Sequence, residues 1–176
     1  MENFTHFDNH GNAIMTDISD KQITSRYAVA EGNIKMNAAC YAAVRQSASK
    51  KGDVLGVARI SGIMAVKQTP SIIPLCHTLL ISKASIDFAF NDDECKITAT
   101  CTVKTTGSTG VEMEALTGVS ASLLTIYDMC KSADRGMEIG GIRLLKKSGG
   151  KSGVYCADNH YPGDNCADDY AGDVYD

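Results

Sequence analysis

Ala84-Ser85-Ile86-Asp87-Phe88-Ala89-Phe90-Asn91-Asp92-Asp93-Glu94-Cys95-Lys96-Ile97-Thr98-Ala99-Thr100-Cys101-Thr102-Val103 is the stretch that decides the fold. In its first half the even positions Ala84, Ile86, Phe88 and Phe90 are apolar, with Ser85 and Asp87 between them. In its second half the odd positions Cys95, Ile97, Ala99, Cys101 and Val103 are apolar or thiol, alternating with Lys96, Thr98, Thr100 and Thr102. Two period-2 runs separated by Asn91-Asp92-Asp93 predict an antiparallel hairpin with one buried face. The open face is rich in Thr and Lys. Cys95 and Cys101 fall on the buried face and read as packing residues.

Two helical stretches precede the hairpin. Met36, Cys40, Val44 and Ala48 recur every four residues, one stripe of an amphipathic helix, with Asn37 placed as an N-cap. Lys51-Gly52-Asp53 breaks that pattern. Residues 54–68 are apolar on nearly all sides, which predicts a buried helix ended by Pro70 and Pro74. Residues 26–35 read as a strand interrupted by Gly32. After the hairpin, Gly110 to about Ala133 is helical, with Leu116, Val119, Leu123 and Ile126 in register and Gly136 as its stop. Ile139 to Leu145 forms a last strand. The order β-α-α-β-β-α-β is that of an α+β, ferredoxin-like split βαβ fold with one additional helix, its antiparallel sheet covered by helices.

Composition agrees with one domain. The chain has 176 residues, 44% hydrophobic and 22% charged, which excludes a disordered chain, a collagen and a coiled coil. No apolar run reaches the length of a membrane span, since Arg59 interrupts the longest, Val54 to Val66. Met1 to His6 lacks the basic and apolar regions of a secretory signal. With seven Cys and no CxxC pair, the expectation is free thiols in the cytoplasm. Residues 154–176 hold six Asp (Asp158, Asp164, Asp168, Asp169, Asp173 and Asp176) and neither Lys nor Arg. Residues 1–153 are then slightly basic and form the single catalytic domain, followed by an acidic tail expected to be disordered.

Several residues could carry chemistry. Leu75-Cys76-His77 sits at an element junction after Pro74, where His77 could move protons; equally, Cys76 could be core and His77 a satisfied polar group. No second Cys/His pair has ligand spacing, so no metal site is expected. Glu112-Met113-Glu114 opens the long helix, where acidic residues complement the helix dipole and need no other purpose. Asp128 and Lys131, three apart, share a face and could be an ordinary surface pair. They lie on a segment that would otherwise be buried, and a partly buried Lys has a lowered pKa and becomes usable as an acid or base. Lys51, and the run Lys146-Lys147-Ser148-Gly149-Gly150-Lys151-Ser152-Gly153, could cradle phosphate through N–H groups and charge. Leu145 stands where a Walker A loop needs its first Gly. Taken singly, each of these lysines is a solvated surface charge.

The segments Lys51-Gly52-Asp53, Ile73-Pro74-Leu75-Cys76-His77, Thr109-Gly110-Val111-Glu112-Met113-Glu114-Ala115-Leu116, Leu124-Thr125-Ile126-Tyr127-Asp128-Met129-Cys130-Lys131 and Lys147-Ser148-Gly149-Gly150-Lys151-Ser152-Gly153 resemble, in this order, the cyclic pyranopterin monophosphate synthase family, the accessory protein C (MoaC) of molybdenum cofactor biosynthesis. Thr78 stands where the family usually has Pro, and Ser108 where it often has Lys. The resemblance implies a ferredoxin-like domain assembled as a hexamer, a trimer of dimers, with the active site at a dimer interface. It implies conversion of 3′,8-cyclo-7,8-dihydroguanosine triphosphate to cyclic pyranopterin monophosphate with release of diphosphate. Lys51, Asp128 and Lys131 would then be the acid/base group, joined by His77. Leu75, Cys76, His77, Glu112, Met113 and Glu114 would contact substrate. Lys67 and Lys147, with Arg26 as a further candidate, would hold its phosphates.

Such a reaction moves protons and no net electrons, so it calls for acids, bases and cations and for no redox cofactor. The different-class alternative is a non-catalytic ferredoxin-like module that senses a nucleotide and releases it unchanged. An RNA-binding sheet would need stacking aromatics on its open face, whereas Phe88 and Phe90 share the buried face with Ile86, so no nucleic-acid partner is expected.

Overall fold

The structure, a computed structural model, describes residues 5–46 and 52–157. Its elements run β1 (Thr24–Lys35), α1 (Ala38–Arg45), α2 (Val54–Ile72), β2 (Ile81–Asn91), β3 (Lys96–Gly107), α3 (Glu112–Cys130), β4 (Glu138–Ser148) and β5 (Tyr155–Cys156). They build one antiparallel sheet in the order β2-β3-β1-β4-β5, the ferredoxin-like order with a short edge strand added.

The hairpin forms as its alternation dictates. Ala84 pairs with Val103, Ile86 with Cys101, Phe88 with Ala99 and Phe90 with Ile97, so both apolar sets share one face. Cys95 departs from the reading: it leaves the strand for the turn, at φ 48°, with its N–H on the Asp92 carbonyl. Burial pushes the Cys101 thiol up to about 12, as a packing residue requires.

β1 runs through Gly32 without a break, and contacts explain the glycine. A Cβ there would stand 2.8 Å from Ile142 and Val119 and 2.9 Å from Leu123. α1 starts at the expected cap: Asn37 Oδ1 accepts the Cys40 N–H at 2.8 Å. Met36, Cys40 and Val44 are buried, and Ala48 lies outside the described residues.

α2 departs further. It continues through Pro70 to Ile72; the Val66 carbonyl, which loses the N–H of residue 70, accepts the Thr69 hydroxyl at 3.1 Å instead. Nor is it buried all round: Ala58, Gly62, Val66 and Thr69 face the core, while Val57, Ile60 and Met64 are exposed. α3 stops at Cys130, six residues short of Gly136, where the Ala133 and Asp134 N–H groups turn back onto the Cys130 carbonyl. Its Ala115, Val119, Leu123 and Ile126 fill the core against the sheet.

α2 and α3 are antiparallel and close. Ser122 Oγ donates to the Ala58 carbonyl at 3.1 Å, and Thr125 Oγ1 donates to Ser61 Oγ at 2.8 Å. A Cβ on Gly62 would meet the Gly118 carbonyl at 2.9 Å and overlap Ser122 Oγ. One result is that the C-terminus of α2 and the N-terminus of α3 meet at the sheet end where β1 begins. The start of α2 and the end of α3 meet at the other.

β5 carries described chain past Gly153, pairing Tyr155 with Lys147 and Cys156 with Lys146. The six Asp of the tail lie outside the described residues. Cys40, Cys76, Cys95, Cys101 and Cys130 are free thiols, whereas Cys156, on that edge strand, is disulfide-bonded, against the expectation of free thiols throughout. Among the described residues no helix is long and apolar enough to cross a membrane.

Candidate active site

The residues singled out in the sequence fall into two groups at opposite ends of the molecule. The first gathers where β1 begins. Arg26 enters the sheet there and is 8% exposed. Its Nε donates to the Gly107 carbonyl at 3.1 Å, and its Nη2 donates to the carbonyls of Ser108 at 3.2 Å and Gln22 at 3.5 Å. Among the described residues no carboxylate pairs with it. Gly150, at φ 74°, covers the guanidinium so closely that a Cβ would overlap it, and a Cβ on Gly149, at φ 93°, would overlap the Ser25 carbonyl. The Gly-rich run after β4 is thus shaped around a buried cation.

Glu114 stands in the first turn of α3 at the same end and is 3% exposed. Burial raises its carboxyl pKa above the usual range, its own N–H opposes that, and the nearby Glu112 charge adds to it. Glu112 folds back over Gly110, where a Cβ would overlap its carboxylate. The Cys76 thiol is pushed up by burial and then by the Glu114 charge, which places Leu75-Cys76-His77 at the same end. Met113 is exposed there, Lys67 is exposed on the C-terminal half of α2, and Lys147 donates to Ser152 Oγ.

Asp17, which the sequence reading missed, lies within electrostatic reach of His77. The Ser19 hydroxyl, 2.7 Å away, and the Ser19 N–H, 2.9 Å away, hold the Asp17 carboxyl below its ordinary value. Its only sequence signal is the Asp-x-Ser spacing of an Asx turn.

The second group lies at the far end. Lys131 Nζ donates to Asp128 Oδ1 at 2.6 Å, and both side chains are more than half exposed. This corrects the expectation of a partly buried lysine with a lowered pKa. The hydrogen bond from Lys131 to Asp128, and then the Asp128 charge, hold the ammonium above its ordinary range. The cause is position: Leu123 and Ile126 take the inward side of the last turns of α3, and Asp128 and Lys131 take the outward side. Lys51 lies outside the described residues. The next residues, Gly52 at φ 83° and Asp53, whose Oδ1 accepts the Gly56 N–H at 2.8 Å, open α2 at this same end.

One end therefore holds a desolvated cation and a desolvated carboxyl, suited to an anion and to an N–H-bearing ring. The other holds a solvated ammonium–carboxylate pair, suited to proton transfer. Among the described residues no group of three His, Cys, Asp or Glu side chains is placed to hold a metal.

Residues 15–150 match the model of the MoaC family. The cyclic pyranopterin monophosphate synthase of Clostridium botulinum (strain Alaska E43 / Type E3) is 56% identical over 88% of this chain and 98% of its own length. The proteins of that name from Natranaerobius thermophilus and Pelobacter propionicus are each 54% identical over 87% of this chain and 96% of theirs. The chain belongs to the MoaC family.

Proposed function

We propose that this chain is a lyase that converts 3′,8-cyclo-7,8-dihydroguanosine triphosphate to cyclic pyranopterin monophosphate and diphosphate, a step of molybdenum cofactor biosynthesis, in the cytoplasm. The observation that carries the reading is that Arg26 and Glu114 are both buried at one end of the fold, Arg26 bonded, among the described residues, to carbonyls. A buried positive charge without a carboxylate partner is costly unless an anion completes it, and a phosphate of the substrate does so. Glu114 accepts from the N–H edge of a guanine-derived ring, with Leu75, Cys76, Glu112 and Met113 around it. Lys67 and Lys147 add charge for the remaining phosphates.

Lys51, Asp128 and Lys131 act as the acid/base group with His77. Because Asp128 and Lys131 lie at the far end from Glu114, the working site is composite, one end from each of two subunits in a dimer, three dimers making a hexamer. The exposed apolar side chains Val57, Ile60 and Met64 on α2 and Leu124 on α3 support burial against another copy.

The test is incubation with the cyclised GTP derivative. Diphosphate and the cyclic monophosphate are expected as products. Recovery of the nucleotide unchanged, despite binding, would make the protein a sensor instead.

A further inference from the structure

Asp134, in the loop between α3 and β4, accepts from two backbone N–H groups with one carboxylate. Its Oδ2 accepts the Asn37 N–H at 2.7 Å, and its Oδ1 accepts the Gly136 N–H at 2.8 Å. The loop's start is fixed to the helix, since the Ala133 and Asp134 N–H groups reach the Cys130 carbonyl at 2.8 and 3.1 Å. Asn37 caps α1, and α1 leads along the chain toward Lys51. The side chain and backbone of Asp134 together thus link the helix end bearing Asp128 and Lys131 to the start of α1.

Two further contacts hold this corner: the Tyr127 hydroxyl donates to the Arg135 carbonyl at 3.2 Å, and the buried Cys40 and Cys130 thiols stand side by side. A cavity of about 270 Å³ opens beside it, lined by Lys35, Met36, Asn37, Asp134, Gly136 and Glu138. Lys131 and its neighbours Ser132 and Ala133 are exposed. The exposed turn from Lys131 to Ala133 has little packing of its own, so its position depends more on directed bonds. Asp134 supplies two of them, at distances typical of strong charge-assisted hydrogen bonds.

We propose that Asp134 is a positioning residue for the Asp128–Lys131 pair. It does not touch substrate; it sets where the last turn of α3 stands relative to α1. This inference rests on the reading of Asp128 and Lys131 as the acid/base group. A shift on the scale of 1 Å at such a group costs up to about a hundredfold in rate.

The experiment uses the full chain and three variants. Asp134→Ala removes both acceptors, and kcat for conversion of the cyclised GTP derivative should fall roughly tenfold to a hundredfold, while KM stays within about twofold because substrate binding lies with the Arg26–Glu114 end. Asp134→Asn keeps the shape and one acceptor oxygen, so it should recover part of the rate; it also carries the test if the alanine variant does not fold. Ile86→Val, a core change midway along β2, supplies a comparable loss of melting temperature and should keep its kcat. Hydrogen exchange on each variant supplies a readout independent of turnover. Exchange of the Lys131, Ala133 and Asp134 amides should quicken in Asp134→Ala and not in Ile86→Val.

An unchanged kcat in Asp134→Ala, or equal losses in it and in Ile86→Val, would overturn the proposal. So would unchanged exchange at residues 131–134. If the native chain shows no turnover, the functional reading fails by itself, and the exchange comparison alone decides whether Asp134 holds the loop.

Discussion

Glu114 and Asp128 stand in the first and last turns of one straight helix, fourteen positions and about 21 Å apart along its axis. No bend brings them together, because Glu112 and Glu114 belong to the helix and not to a loop folded back over it. Two carboxyls that serve one small substrate from these places must come from different chains.

Mixing subunits checks this. Glu114→Ala and Asp128→Ala homo-oligomers should each be inactive. Under subunit exchange, a mixed dimer carries both lesions in one composite site and none in the other, so activity should return to about half of normal per mixed dimer. Mixed oligomers that form and stay inactive would place both residues in one site of one chain.

Glu114 makes stability depend on pH in a definite direction. Its pKa is raised in the folded chain, so the folded state holds the proton more tightly than the unfolded one. The stabilising contribution is fully present below the unfolded pKa of the carboxyl and is lost as pH rises through the folded one. Glu114→Gln, neutral throughout, should therefore melt higher than the native chain at pH 8, and the difference should shrink as pH falls toward 4. Melting curves at both pH values read this. A gain that grew toward acid would mean that the ionised carboxyl is stabilised in the fold.

Asp128 supports the protonated form of Lys131, chiefly through their hydrogen bond. Removing that carboxylate should lower the lysine pKa. Asp128→Asn should lose about a hundredfold or more in turnover, and the alkaline limb of its residual rate should move to lower pH. Steady-state rates across pH measure both. An unmoved alkaline limb would show that Lys131 is not the group titrating there.

Gly150→Ala tests the cradle. The added methyl overlaps the Arg26 guanidinium, at a backbone φ of 74° that disfavours any side chain. Affinity for a guanosine triphosphate, read by calorimetry, should fall about tenfold, the loss of one charge-assisted hydrogen bond. Gly153→Ala is the control: φ is 64°, but nothing lies within 4 Å of the new Cβ. Equal affinities in the two variants would remove Arg26 from anion binding.

The helix crossing is sized for glycine. Gly62→Ala puts a methyl against Ser122 Oγ and the Gly118 carbonyl, where backbone cannot give way cheaply. Overpacking of this kind costs about 1–3 kcal/mol. Thermal melts should drop by several degrees, with Asp128 and Lys131 shifted as α3 is pushed off α2. A variant as stable as the native chain would mean that the helices separate freely.

How legible this was depended on whether a residue's role is local. The hairpin could be read because Ile86, Cys101 and their neighbours declare a face by alternation alone. Gly32 seemed an interruption in sequence because its partners Val119, Leu123 and Ile142 are distant in the chain. The all-apolar look of 54–68 hid an exposed stripe, since periodicity cannot tell a core from a surface awaiting a neighbour. At the site, the resemblance named the residues and helix length alone separates Glu114 from Asp128, but nothing in the sequence says that Arg26 is buried. The exposure of Lys131 was lost for the same reason: the composition of 124–131 is apolar, while helical phase turns Asp128 and Lys131 outward. Asp17 and Asp134 act through backbone and through residues elsewhere, and nothing near them in sequence says so.

The strand order carries a consequence for synthesis. β1 is made first, yet it lies inside the sheet between β3 and β4. As the chain emerges from the ribosome, both edges of β1 stay unpaired while α1, α2 and β2 are added, and its second edge closes only when β4 is out. The hairpin of β2 and β3, by contrast, can close on its own as soon as it is translated. The nascent protein therefore holds an open, apolar-faced strand through most of its elongation, and productive folding waits for the C-terminal third of the chain.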